Sequence, residues 1–196
     1  MAVSTELRQE RREARRRRLL DAALKTFAAV GYYDTSVDMI VAAARTSKTT
    51  FYEFFESKED CVRDILAREG GDLIYRVVTE AAQGVDHRDR MRRGIRAFVM
   101  ACAGRRELAR VLLFESVGVS PRIEEVRKNL HAKFARVVTE EVRRVQNDDP
   151  FYAFVDPEVF GRAVVGAVNE ATGFSLTQPD TDPEHLAEGL CAIFAP

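Results

Sequence analysis

The chain predicts an all-α fold of about nine helices, on three observations. Apolar residues recur with a 3.6-residue period throughout, sustained two-residue alternation bounded by hairpin turns is missing, and a capping signal heads most apolar runs. A length of 196 residues is enough to bury a sizeable core.

The first helix is expected over Glu10–Val30, where Leu20, Leu24 and Phe27, with Ala23 and Val30 alongside, form one apolar face. Gly31 then supplies a left-handed stop. Thr35 and Asp38 have the spacing of a capping box, followed by Val37, Ile40, Val41 and Ala44 at i, i+3, i+4 and i+7, which predicts a second, short helix. Ser47 caps a third through about Phe54, and Ser57 with Asp60 caps a fourth that runs to about Ala82. Two more helices are read over Arg88–Ala103 and Arg105–Val117, separated near Gly104. Ser120-Pro121, Asp156-Pro157 and Asp182-Pro183 each place an acceptor at the N-cap and proline at the first helical position, where its missing N–H costs nothing. These three starts predict helices over 121–146, 157–176 and 183–194, with Asn147–Pro157 as the longest loop.

Composition narrows the function. With 46% hydrophobic and 31% charged residues and no apolar run near the ~18 needed to span a bilayer, the chain reads as a globular protein without a membrane span, expected in the cytoplasm. Cys61, Cys102 and Cys191 are too far apart for a paired zinc site, and no metal or cofactor is expected. His87, His131 and His185 lie on separate elements, and there is no glycine-rich phosphate loop or nucleophile elbow, so an enzyme is not expected. Charge is divided unevenly: residues 1–58 carry 11 Lys/Arg against 8 Asp/Glu, whereas the remainder is acidic. Arg8, Arg11, Arg12 and Arg15 to Arg18 make the N-terminal end either a solvated helix face or an arm that meets phosphate.

The second and third predicted helices, joined at Arg45-Thr46, form the two-helix unit with which proteins place a helix in the major groove. On the third helix Phe51 and Phe55 stand four apart and belong to the core, while Lys48, Thr49 and Tyr52 lie on the other side. Lysine reaches a guanine edge or a phosphate, threonine a thymine methyl, and the tyrosine hydroxyl a phosphate at the groove edge. Ser47 and Thr50 sit at the helix start, where backbone N–H groups favour phosphate.

From Arg17 to Asp60, the stretch "RRLLDAALKTFAAVGYYDTSVDMIVAAARTSKTTFYEFFESKED" resembles the N-terminal helix-turn-helix domain of the TetR family of bacterial transcriptional regulators. The features that match, in order, are a helix ending in Val-Gly-Tyr, the Thr-Ser-Val-Asp cap, an Ala-Ala-Ala helix, Ser47-Lys48, and Tyr52 before Phe55-x-Ser57-Lys58-Glu59. The resemblance implies a helix-turn-helix DNA-binding domain over 1–57 and a ligand-binding and dimerisation domain over 58–196. It also implies a homodimer on a double-stranded palindromic operator, and release by a small-molecule inducer, as for a repressor. Thr35, Ser36 and Lys58 complete the residues expected at DNA, with Lys58 near enough to reach phosphate. Arg45 and Thr49 stand where the family usually has glycine, and Glu53 where it often has histidine. The alternative is a helical ligand-binding or scaffolding protein that does not touch DNA.

Over 157–176 the predicted helix is apolar on nearly all sides, so it needs cover on two faces. Its own domain supplies one and a second copy the other, as the resemblance also implies; the alternative is the central helix of a monomer. Phe160, Gly161, Val164, Val165, Val168 and Leu190 are the expected dimer contacts. Phe98, Cys102, Phe114 and Phe134 on the middle helices either line a pocket for a largely apolar inducer or are plain core, and Asn169, His131 and Glu115 are polar groups that could orient it.

Overall fold

A computed structural model describes residues 2–178 and 180–196. The described residues contain nine α-helices and no strand: α1 (Ala2–Val30), α2 (Val37–Ala43), α3 (Lys48–Tyr52), α4 (Lys58–Ala81), α5 (His87–Gly104), α6 (Arg106–Arg110), α7 (Pro121–Val145), α8 (Pro157–Thr177) and α9 (Pro183–Phe194). α6 continues as a π-helical turn over Val111–Glu115, closed by Ser116 N donating to Val111 O at 3.1 Å. That turn divides what the sequence pattern reads as one helix over 105–117, because periodicity does not register a single extra residue per turn.

The capping chemistry acts as written in the sequence at most starts. Ser47 Oγ accepts from Thr50 N, Ser57 Oγ from Asp60 N and Ser120 Oγ from Ile123 N, while Asp156 and Asp182 cap the two proline-led helices. α2 differs by one residue. Its cap is Ser36, which accepts from Met39 N at 3.2 Å, and not Thr35. Thr35 is buried and its hydroxyl donates to Gly31 O at 2.6 Å, closing the α1–α2 connection from inside. Gly31 ends α1 with φ +85°, the left-handed conformation expected of it. α1 itself begins eight residues earlier than its apolar face predicts, since charged, helix-favouring residues extend it as an exposed arm.

Two hydrophobic cores share α4. The first joins α1–α3 to the first half of α4 through Leu20, Phe27, Ile40, Phe51, Ile65 and Leu66, and reaches Val111 and Ile123. The second surrounds α5, α8 and α9 and takes Leu73 and Val77 from the other half of α4. At 24 residues, α4 is about 36 Å long and spans both. α7 and α8 pack closely at Gly161, where an added Cβ would lie 2.4 Å from Thr139 Oγ1 and 2.6 Å from Ala135 O.

Candidate nucleic-acid interface and effector cavity

The α2–α3 turn is tight because Arg45 adopts φ +50°, with Arg45 N donating to Ala42 O and Thr46 N to Val41 O. Ile40, Val41, Ala44 and Phe51 are buried beneath it, so α3 is fixed on the core with one side outward. Phe55 packs beside Phe51 at 5.5 Å between ring centroids. Outward on α3 are Lys48, Thr49, Tyr52 and, just beyond it, Glu53, with Ser36 and Ser47 at the two caps. Thr50 is half-buried, its hydroxyl 3.2 Å from Ser47 Oγ. Lys48 Nζ lies 2.9 Å from Asp38 Oδ1 on α2, a hydrogen-bonded pair that raises the lysine's pKa. Both side chains are exposed and solvent-screened, so the pair opens at little cost when a phosphate competes.

Two residues expected at DNA face the protein instead. Thr35 is buried in the α1–α2 connection, as described above. Lys58 Nζ donates to the carbonyls of Tyr32 (2.8 Å), Tyr33 (3.1 Å) and Thr35 (2.7 Å), and sits 4.6 Å from the Tyr32 ring centroid. All three ammonium donors are thereby used, because the chain after α1 turns its carbonyls toward the start of α4. Glu115 has a matching role from the other side: Oε2 accepts from Tyr32 N at 3.3 Å, so it anchors the end of α1.

In the second core a cavity of about 340 Å³ lies between α4, α5, α7 and α8. Its walls are apolar: Val77 and Ala81 from α4, Ile95 and Phe98 from α5, Phe134 and Val138 from α7, and Val164, Val165 and Val168 from α8. Among the residues expected at a ligand, Phe98, Phe134 and Asn169 line it. His131 stands behind Asn169, which donates to its Nε2 at 3.2 Å, and burial lowers the imidazole pKa, keeping it neutral. Cys102 and Phe114 do not reach this space. Cys102 faces a narrow crevice between α4 and α6, with burial pushing its thiol up to about 12, and Phe114 covers Gly173 on α8. Sequence reasoning missed the charged end of the cavity, where Glu141 bridges Arg90 (2.7 Å) and Arg144 (2.8 Å). Arg90 and Glu141 are 51 positions apart, so no local pattern announces them.

The six expected dimer contacts also turn inward. Val164, Val165 and Val168 line the cavity, Gly161 packs on α7, Leu190 is in the second core, and Phe160 joins Tyr152 and Phe194 in an aromatic cluster. Exposed on α8 are Val159, Ala163, Gly166 and Phe174 together with Glu158, Arg162, Glu170 and Thr177, and on α9 Gly189, Ala192 and Ile193 together with His185 and Glu188. A helix apolar on nearly all sides carries no phase in its sequence, so which stripe faces inward is settled only by its neighbours.

With this arrangement of a short two-helix reading unit, a connecting helix and a cavity-bearing helical domain, two family models match the chain. The model of the bacterial regulatory proteins of the tetR family covers residues 19–65, and that of the tetracyclin repressor-like C-terminal domain covers residues 84–173. The chain belongs to the TetR family. As a TetR-family helix-turn-helix transcriptional regulator, it is 26% identical over 180 residues to the uncharacterised regulator YdgC of Bacillus subtilis, covering 88% of this chain and 86% of that one. Its fold is similar to that of FadR from Bacillus subtilis, solved with stearoyl-CoA (TM-score 0.80, 16% identity, 91% of this chain and 96% of that one). It is also similar to AibR, solved with isovaleryl coenzyme A and operator DNA (TM-score 0.73, 20% identity, 93% and 98%). Among the described residues no helix of this TetR-family chain is long and apolar enough to cross a membrane.

Proposed function

We propose that this TetR-family regulator represses transcription as a homodimer on a palindromic operator and is released when a largely apolar acyl compound fills the cavity. The observation that carries this reading is the course of α4. Val77, Val78, Ala81 and Ala82 near its end line the cavity, and Lys58 at its start holds the α1–α2 connection of the reading unit. A ligand that displaces the cavity end of α4 therefore moves the platform of α3. At DNA, Lys48 and Thr49 read base edges, while Ser36, Ser47, Thr50 and Tyr52 meet the backbone. Thr35 and Lys58 act one step back, by fixing the connection.

An acyl ligand suits the lining. Its chain would lie among the valines and phenylalanines, its carbonyl near Asn169 or its anionic group against Arg90 and Arg144, at the expense of their bonds to Glu141. Acyl-CoA in the FadR and AibR structures supports the same class. Val159, Ala163, Gly166 and Phe174, with Ile193, offer an exposed face to a second copy that is small-to-apolar apart from Glu170 within it and Arg162 at its edge.

The test is a titration of acyl-CoAs of graded chain length against the protein, alone and bound to a duplex recovered by selection with the full chain. An effector raises the melting temperature and weakens DNA binding, and by linkage DNA weakens effector binding by the same factor. A compound that occupies the cavity and leaves DNA affinity unchanged would refute the coupling.

A further inference from the structure

The arm of α1 before its core-facing residues is divided by charge. Arg8, Arg11, Arg12 and Arg15 are spaced i, i+3, i+4, i+7 and form one exposed stripe; Glu6, Glu10 and Glu13 lie on the opposite side of the helix. An arm that served solubility alone would intersperse the two signs. The rotation of the helix is fixed lower down, where Arg16 pairs with Asp64 of α4 and Leu19 and Leu20 enter the first core. This setting turns the basic stripe, and not the acidic side, toward the end of α3. The four arginines form a concave surface with Glu53 and Phe54, and the Arg12 guanidinium lies 5.5 Å from the Phe54 ring centroid. Among the described residues none of the four is in a salt bridge. The one carboxylate in the concavity, Glu53, is outnumbered by four guanidinium groups, which offsets the repulsion it would otherwise exert on a nucleic acid.

We propose that this stripe is a second DNA-binding surface: Arg8, Arg11, Arg12 and Arg15 take phosphates of the duplex beside the groove that α3 enters. From Arg8 to Arg15 the stripe is about 10 Å long, enough for two phosphates of one strand. It contributes affinity without base preference, and it extends the contact beyond the reading helix.

The inference rests on DNA binding by the full chain, and salt dependence separates the two. The logarithm of the binding constant for a mixed-sequence duplex about three turns long is measured against the logarithm of salt concentration. Changing Arg8, Arg11, Arg12 and Arg15 together to Gln should lower the slope by about 1.8 per protomer, two contacts at about 0.9 each. Between about 50 and 200 mM salt the unaltered chain then loses about 12-fold more affinity than the variant, counted per protomer. The comparison variant changes Glu6, Glu10 and Glu13 to Gln and alters net charge on the opposite side. An unchanged slope there supports local contact. A shift equal and opposite to that of the arginine variant would mean a general field and would overturn the proposal, as would an unchanged slope in the arginine variant. Failure of the unaltered chain to bind any duplex would overturn DNA binding as well. Both variants change only exposed side chains ahead of the first core, and a melting temperature equal to that of the parent verifies the fold.

Discussion

Replacing Lys58 with Met separates two roles that one lysine can have at a protein–DNA boundary. Methionine keeps most of the stem's packing and removes the charged head. Three carbonyls lose a charged donor, of which that of exposed Tyr33 recovers water readily, while those of Tyr32 and Thr35 are partly buried. At about 1 kcal/mol each for the latter two, the low end for an unpaired buried acceptor, and about 0.5–1 kcal/mol for the cation over Tyr32, the variant is destabilised by about 3 kcal/mol. For a chain of this size each kcal/mol shifts the melting temperature by about 2–4 °C, so circular dichroism should record a loss of about 6–12 °C. Affinity for DNA should fall with little change in its salt slope, because the connection under α3 loosens but no phosphate contact is removed. A variant that melts like the parent and whose salt slope drops by about 0.9 would refute the structural role and return Lys58 to the phosphate backbone.

Four further outcomes are expected. Arg45→Gly relieves a left-handed turn worth about 1–2 kcal/mol, partly offset by the greater freedom of the unfolded chain, and should raise the urea midpoint by the equivalent of about 0.5–1 kcal/mol with m unchanged. Gly161→Ala should cost about 1–3 kcal/mol despite alanine's better helix propensity, because its Cβ meets Thr139 and the Ala135 carbonyl, whereas Gly71→Ala, which meets nothing within 4 Å, should stabilise by up to about 1 kcal/mol in the same melts. Val159→Asp combined with Phe174→Asp should sediment as a folded monomer, whereas Val164→Asp buries a charge beside the cavity and should unfold; a dimeric double variant would refute the proposed face. Asp149 is held by Arg88 and His87, whose hydrogen bonds lower its pKa below the usual carboxylate range. A depressed folded pKa contributes stability above the unfolded value, about 3.9, that is lost as pH falls through the folded one, so Asp149→Asn should be less stable than the parent at neutral pH and converge on it below about pH 4. A stability gap that stays constant into acid would refute this.

What could be read from the sequence was what depends on local spacing. Ser47, Ser57, Ser120, Asp156 and Asp182 cap as their positions require, Gly31 is left-handed, and Phe51 and Phe55 are in the core. Errors arose where the answer depends on a distant partner. Thr35 and Ser36 are both competent caps, and the choice between them is made by the buried bond from Thr35 to Gly31. Lys58 looks like any surface lysine until the carbonyls after α1 are folded against it. The inward stripe of α8 is chosen by α7 through Gly161, and the Arg90–Glu141–Arg144 bridge exists only once α5 and α7 are adjacent. Phe54 has no place in the helical pattern of α3, and finds one under Arg12 of an arm whose apolar periodicity starts only later.

The π-helical turn gives the reading unit a second strut. Its widened ring sets Phe114 on Gly173 of α8 and Glu115 on the Tyr32 N–H at the end of α1, while Lys58 of α4 grips the carbonyls of that same short connection. Removing one of the five residues would restore α-helical bonding and swing Glu115 about 100° away from α1. With both struts in place, a displacement of α4 alone is resisted by Glu115, and a displacement of α8 alone by Lys58. A ligand that parts these two cavity walls together therefore moves the unit further than one that displaces α4 alone, so the reach of a small molecule across the cavity sets how far the reading helix shifts.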